Sequence, residues 1–381
     1  MLLRRLAAGF ALLALFPSAI AQDAPYSIAP GLFNLSRPND LGLQPAPGTQ
    51  TITVYRPSEK GDSYANGVVL LGFKGKLYAQ WQSSNKDEDS TDTHVVYAVS
   101  ENGAHWSAPR VLADVGKTIR TSGGWWTDGR ELIAYINVWN ADFRTGGSTY
   151  YITSKDGVHW SKPKPVKGVD GKLVTGVIEQ DLRALPDGRI VTAFHVKPGV
   201  KATPFYTDDP RGLRGWTEGK MEHLPHEGLE SREMEPSWFR RGDGCLVMIF
   251  RDQADSFRQL ASTSCDRGAS WTKPVITAMP DSRAKQSAGN LPDGTAFLVN
   301  APSGTKLRSP LVLTLSRDGH VFDSAFLLRA GPPPEVKRPG LYKRPGYHYP
   351  KSIVWNGALY VGYATDKEVV EITRVPLASL H

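Results

Sequence analysis

The chain has little of what marks cofactor-dependent or membrane-embedded proteins. It carries two cysteines in 381 residues, no His-Glu-x-x-His, no paired-cysteine motif and no glycine-rich phosphate loop. These absences remove the zinc-protease, zinc-finger and P-loop chemistries, and the histidines are scattered without metal-ligand spacing. The acidic run 87–92 reads as a solvated loop rather than a calcium site, so no cofactor is implied. Long hydrophobic runs are equally scarce. The apolar stretch from Leu6 to Phe16 is too short to span a bilayer as a helix. It follows Arg4-Arg5 and precedes Ala19-Ile20-Ala21, so residues 1–21 read as a cleaved signal and the protein as secreted or periplasmic, not membrane-embedded. Charge of one sign is modest too, +7 in all and +5 without Arg4 and Arg5. No nucleic-acid motif accompanies it, and the excess suits an acidic polymer as partner.

What is abundant is a repeated turn. Lys74-Gly75, Asp128-Gly129, Asp187-Gly188, Asp243-Gly244, Asp293-Gly294 and Asn356-Gly357 lie between strand-like runs, their glycines 50 to 63 residues apart. Such flanks signal hairpins, and the period calls for a repeat architecture. The spacing leaves room for two more strands per unit, which predicts an all-β, six-bladed β-propeller. A second repeat runs out of phase with the first: Ser264 to Trp271, Ser154 to Trp160, Ser100 to Trp106 and Ser316 to Phe322, each 20 to 25 residues after a turn. In these Asp-boxes the Asp or Asn side chain bonds its own turn, the Gly takes a positive φ and the aromatic ring packs back between strands. They are staples and carry no chemistry. The third unit has only the degenerate segment from Asp208-Asp209 to Trp216.

Residues 22–50, rich in Pro, Gly and Asn, read as a leader, and 51–381 as the propeller. The strand Thr51 to Tyr55 has no turn partner, so it is expected to join the last blade beside Glu368 to Arg374 and close the ring, removing two free edges. A closed propeller has no need of a partner subunit, and a monomer is expected. Cys245 and Cys265 are equidistant from a turn near Ala254-Asp255, hence opposed across two strands. Export permits a bridge, while cross-strand pairs often have poor disulfide geometry, so a disulfide and two free thiols both remain open.

The innermost strands should line a central funnel. Counting eight residues back from each turn gives Asn66, Arg120, Glu179, Glu235, Lys285 and His348, all polar or charged. Such a ring is costly to bury without a function. Lys351, close to His348, joins these as a candidate substrate contact.

Asp-boxes on an exported six-unit chain resemble the sialidase (neuraminidase) superfamily over essentially residues 51–380. The resemblance implies three arginines on a substrate carboxylate, a tyrosine nucleophile backed by a glutamate, and an aspartate acid/base on a loop. By position, Arg251 and Arg308 match the second and third arginines and Glu235 the supporting glutamate; guanidinium pairs with carboxylate bidentately. The first arginine is missing, since its segment reads Ser63-Tyr64-Ala65-Asn66-Gly67. At the nucleophile the equivalent place is His348, and Tyr349 requires a one-residue shift of register. The acid falls in Asn85 to Asp92, with Asp89 and Asp92 as candidates.

Three readings follow. In a sialidase-like exo-glycosidase, Tyr349 attacks the anomeric carbon, Glu235 takes its proton, Asp89 or Asp92 protonates the leaving group, and Arg251 and Arg308 orient the carboxylate. In a uronate lyase, which the segments Glu235-Pro236-Ser237 and Gly346 to Pro350 also resemble, His348 or a tyrosine removes the C5 proton. A carbohydrate-binding propeller would rely on Trp125, Trp126 and Trp139. Proton-transfer groups among cations favour catalysis on an acidic oligo- or polysaccharide.

Overall fold

A computed structural model describes residues 24–113, 118–140, 145–332 and 335–380; the expected signal, 1–21, lies outside them. The described residues form six antiparallel sheets arranged as a β-propeller, with no α-helix among them. The inner strands are Tyr64–Phe73, Arg120–Thr127, Gly176–Ile178 with Arg183–Ala184, Glu233–Arg240, Ser287–Asn290 and Tyr347–Trp355. In blade 6 the order is Gln50–Tyr55, Val369–Pro376, Ala358–Thr365, Tyr347–Trp355. The N-terminal strand thus closes the ring, pairing Thr51 with Thr373 and Ile52 with Ile372. Upstream of it, Ser27–Ile28 runs parallel to Val321–Phe322 in blade 5, and the buried Tyr26 packs edge-on against Phe239 and Phe322.

The hydrophobic core is divided between neighbouring blades, because each sheet can bury its faces only against the next. Val68, Leu70, Ala79 and Trp81 of blade 1 meet Tyr360 and Ile372 of blade 6 in one such layer. The outer turns are fixed as their composition predicts. Asp156 Oδ1 accepts the amides of Val158 and His159 at 2.9 and 2.8 Å, and Ser154 Oγ that of Gly157 at 2.8 Å. In the third unit Trp216 Nε1–H donates to Gly212 O at 2.8 Å, just as Trp271 Nε1–H donates to Gly268 O at 3.0 Å. The degenerate segment is therefore a box in structure, with a longer turn. Cys245 and Cys265 are joined by a disulfide between adjacent strands of blade 4.

Candidate active site

One mouth of the central channel opens into a cavity of ≈ 710 Å³. Its wall includes Gly67, Thr121, Glu179, Glu235, Lys285 and Tyr349, one from each inner strand or its extension. Asn66, Arg120 and His348, which the count back from the turns placed in this ring, do not line it. The reason is turn length. In blades 3, 4 and 5 the ladder reaches Leu185–Arg189, Arg241–Cys245 and Leu291–Thr295, so Asp is the second residue of a three-residue loop. In blades 1, 2 and 6 the turn dipeptide begins the loop directly after Phe73, Thr127 and Trp355. The same count overshoots by one there.

Glu235 and Tyr349 hold matching positions. Each is the first residue of a bulge, where the ladder shifts between Met234 and Ser237 and between His348 and Lys351. Each has a positive φ, 53° and 55°, an expensive conformation for a side-chain-bearing residue that points to an imposed geometry. Proline follows in both cases, and a bulge is one of the few inner-strand sites that tolerates it. The bulges turn both side chains into the cavity, where the Tyr349 hydroxyl lies beside the Glu235 carboxylate and favours its ionised form. Burial pushes Glu235 up, but Arg251, Lys285 and that hydroxyl outweigh it and bring its pKa down to about 2. Arg251 Nη1 lies 3.0 Å from Glu235 Oε2. Burial, with the Glu235 and Glu88 carboxylates close by, raises the Tyr349 phenol well above its usual range. An ionised carboxylate beside a protonated tyrosine is the resting state of a base-assisted nucleophile.

Cations crowd the same tyrosine. Lys285 Nζ, the Arg308 guanidinium and Lys367 Nζ lie 5.3, 5.4 and 5.5 Å from its ring centroid. Lys285 is tied to both Glu179 oxygens at 3.1 Å. The buried Arg308 donates to His348 Nδ1 at 2.6 Å, and His348 Nε2–H donates to Arg344 O at 2.8 Å. His348 is thereby held as one neutral tautomer, its pKa pushed well below normal by burial and by Arg308. It positions the arginine, with neither nitrogen facing the cavity. His195, absent from the sequence expectations for this site, does face it: Nε2 accepts the Glu235 amide at 3.3 Å and Nδ1 lies 3.5 Å from Glu179 Oε1. Burial lowers its pKa more than Glu179 restores it.

Of the loop carboxylates, Asp89 lines the cavity, exposed at its rim, and Asp92 instead caps its own loop through the Asn85 amide at 3.0 Å. Glu88 also lines the cavity and pairs with Lys367. Asn66 is fully buried behind the wall. Lys351 lies toward the other end of the channel, 2.5 Å from Asp181 Oδ2, in a second cavity of ≈ 520 Å³. Trp139 lines the first cavity and Trp125 and Trp126 the second one, where Trp125, 3% exposed, also packs between blades 1 and 2. The floor between the cavities is Gln180. Its Nε2 donates to Gly67 O at 3.1 Å and Ser122 O at 2.9 Å, and Lys285 Nζ donates to its Oε1 at 3.3 Å.

Residues 75–361 match the model of the BNR repeat-like domain. The chain belongs to the BNR repeat-like family. Solved structures that share the fold of this BNR repeat-like chain include sialidases. One sialidase shares 18% identity at a TM-score of 0.68, over 93% of this chain and 35% of its own. The Hadza microbial sialidase Hz136 shares 14% at 0.67, over 87% and 69%. The Trypanosoma rangeli sialidase in complex with sialic acid shares 14% at 0.61, over 89% and 60%. This chain thus spans about a third of the first relative's length. At these identities the likeness concerns the fold. No curated protein sequence matches the chain.

Proposed function

We propose that this chain is an exported glycosidase of sialidase-like type, acting on a glycan that bears a carboxylate. The observation that carries the reading is the Tyr349–Glu235 pair, presented by matching bulges beneath Arg251 and Arg308. Arg251 and Arg308 hold the sugar carboxylate. The Tyr349 oxygen then bonds to the anomeric carbon as the glycosidic bond breaks, its proton passing to Glu235. Asp89, on the rim, gives a proton to the departing oxygen and later takes one from the water that releases the sugar. The sialidases that share the fold support the reaction class, and the Cys245–Cys265 bridge supports export.

Elimination at a uronate drawn on His348 has less support, because both ring nitrogens are engaged. The test is incubation with a panel of acidic glycans, including sialosides and rhamnose-capped glucuronans, following product masses and the ultraviolet absorbance of unsaturated uronates. Release of a hydrated sugar without absorbance is expected. Products lighter by one water, with absorbance, would replace hydrolysis by elimination; binding without product would leave a lectin.

A further inference from the structure

Three cations and one loop carboxylate meet at Tyr349 in an arrangement that neither the repeats nor the boxes explain. The inner strand of blade 1 supplies no charge to the cavity; its bulge residue is Gly67. The adjacent space is filled from blade 6. The turn after Ala358–Thr365 docks on that strand, with Lys367 O accepting the Ala65 amide at 2.9 Å. Asp366 and Lys367 both have positive φ, 59° and 58°. Two successive side-chain-bearing residues in that region mark a turn held against its preference, and Asp366 Oδ1 staples it by accepting the Gly346 amide at 3.0 Å. The effect is to aim a lysine, its side chain 3% exposed, into the cavity beside Tyr349.

The three cations differ in how firmly they are neutralised. Lys285 is fixed by both oxygens of a buried glutamate and by Gln180. Arg308 leans on a neutral imidazole and has no ion-pair partner among the described residues, the Glu235 carboxylate acting on it only from a distance. Lys367 is compensated only by Glu88 among the described residues, a partly exposed residue on a surface turn immediately before Asp89. A buried ammonium needs a counter-ion in the empty site, and one on a loop can leave when another anion arrives.

We infer that Lys367 is the third cation of a carboxylate clamp with Arg251 and Arg308, and that Glu88 is its internal stand-in, displaced by the substrate carboxylate. This rests on the reading of an acidic substrate above. It adds a consequence: binding removes the Glu88 tether from the turn that carries Asp89, while the Asp87 bonds to Ser90 and Leu341 keep its base in place, so capture of the carboxylate and placement of the acid are coupled. Burial, only partly offset by Glu88, lowers the Lys367 pKa, which fits an ammonium awaiting a closer anion.

The test is calorimetric binding of N-acetylneuraminate and D-glucuronate, each beside its methyl ester, to the wild-type protein and to Lys367→Met, Lys367→Arg, Glu88→Gln and Arg308→Met. Melting curves verify the fold, and Lys367→Arg keeps the test decisive should the methionine variant not fold. Loss of one charge-assisted contact predicts about tenfold weaker binding of the acid to Lys367→Met, with the ester almost unaffected. Lys367→Arg retains binding. Glu88→Gln tightens the acid, because the competitor is gone. Weakening by Glu88→Gln in step with Lys367→Met would mark an ordinary structural ion pair and overturn the proposal. So would wild-type binding in Lys367→Met alongside loss in Arg308→Met, which would leave the acidic-substrate reading standing. No preference of the wild type for acid over ester would instead remove that reading, and the clamp with it.

Discussion

At one end of the channel the inner strands of blades 1, 2, 4 and 6 slip register, and Glu235 and Tyr349 sit at positive φ. Seven basic and five acidic side chains line that mouth. At the other end the strands run in regular register to their turns, and the wall is mainly apolar, with Val69, Leu71, Trp126, Leu185, Phe297 and Ile353, joined by Arg183, Arg240 and the buried Lys351–Asp181 ion pair. Both mouths belong to one set of strands under one ring closure. The sparsely charged mouth shows that closing a propeller does not require twelve charged side chains at one end, so the charge and strain of the other are costs the fold does not demand. Two positive-φ side-chain positions alone cost on the order of 1–3 kcal/mol each. Strain and unspent charge concentrated in a cavity are the marks of a site shaped for a ligand.

The contrast can be broken in three places. Tyr349→Phe keeps the ring among its cations and deletes the oxygen; turnover of an acidic glycoside should fall by roughly 10⁴-fold or more with the melting curve unmoved. Retained turnover would take the strained mouth out of the chemistry. In the opposite mouth, Lys351→Met strands the buried Asp181 and should cost about 3–5 kcal/mol in a denaturant titration, while turnover per folded molecule stays constant. Adding Asp181→Asn should return most of that loss. A selective fall in turnover would show that the two mouths share one task. The smallest effect is expected from His348→Gln, which loosens Arg308 and should raise KM for an acidic substrate by about tenfold with kcat little changed. Burial and Arg308 keep this imidazole neutral across the physiological range, so the pH–rate profile should not move. A shifted profile would restore His348 to proton transfer.

The propeller was legible because its turns and boxes are local: Asp, Gly and an aromatic at fixed spacing do their work within a few residues. The ring was legible only where the loops agree in length. Glu179, Glu235 and Lys285 fell where counted, while Asn66, Arg120 and His348 missed by one because loop length changes from blade to blade. A better signal was present in Glu235-Pro236 and Tyr349-Pro350, two X-Pro steps within strands that otherwise exclude proline. His195, Glu88 and Lys367 had no such signal. They reach the cavity from a second strand, a loop and a turn, and only the ring's closure brings residue 367 beside residue 65.

Gln180 gives the molecule a direction. By bridging blades 1, 2, 3 and 5 across the axis it makes the upper cavity a cul-de-sac with a single door. A bound molecule is thus expected to enter and leave on the same side. In the proposed reaction a released sugar would have to back out through the opening its successor needs. Entry and exit would then share one doorway, and occupancy by the product would itself exclude the next substrate.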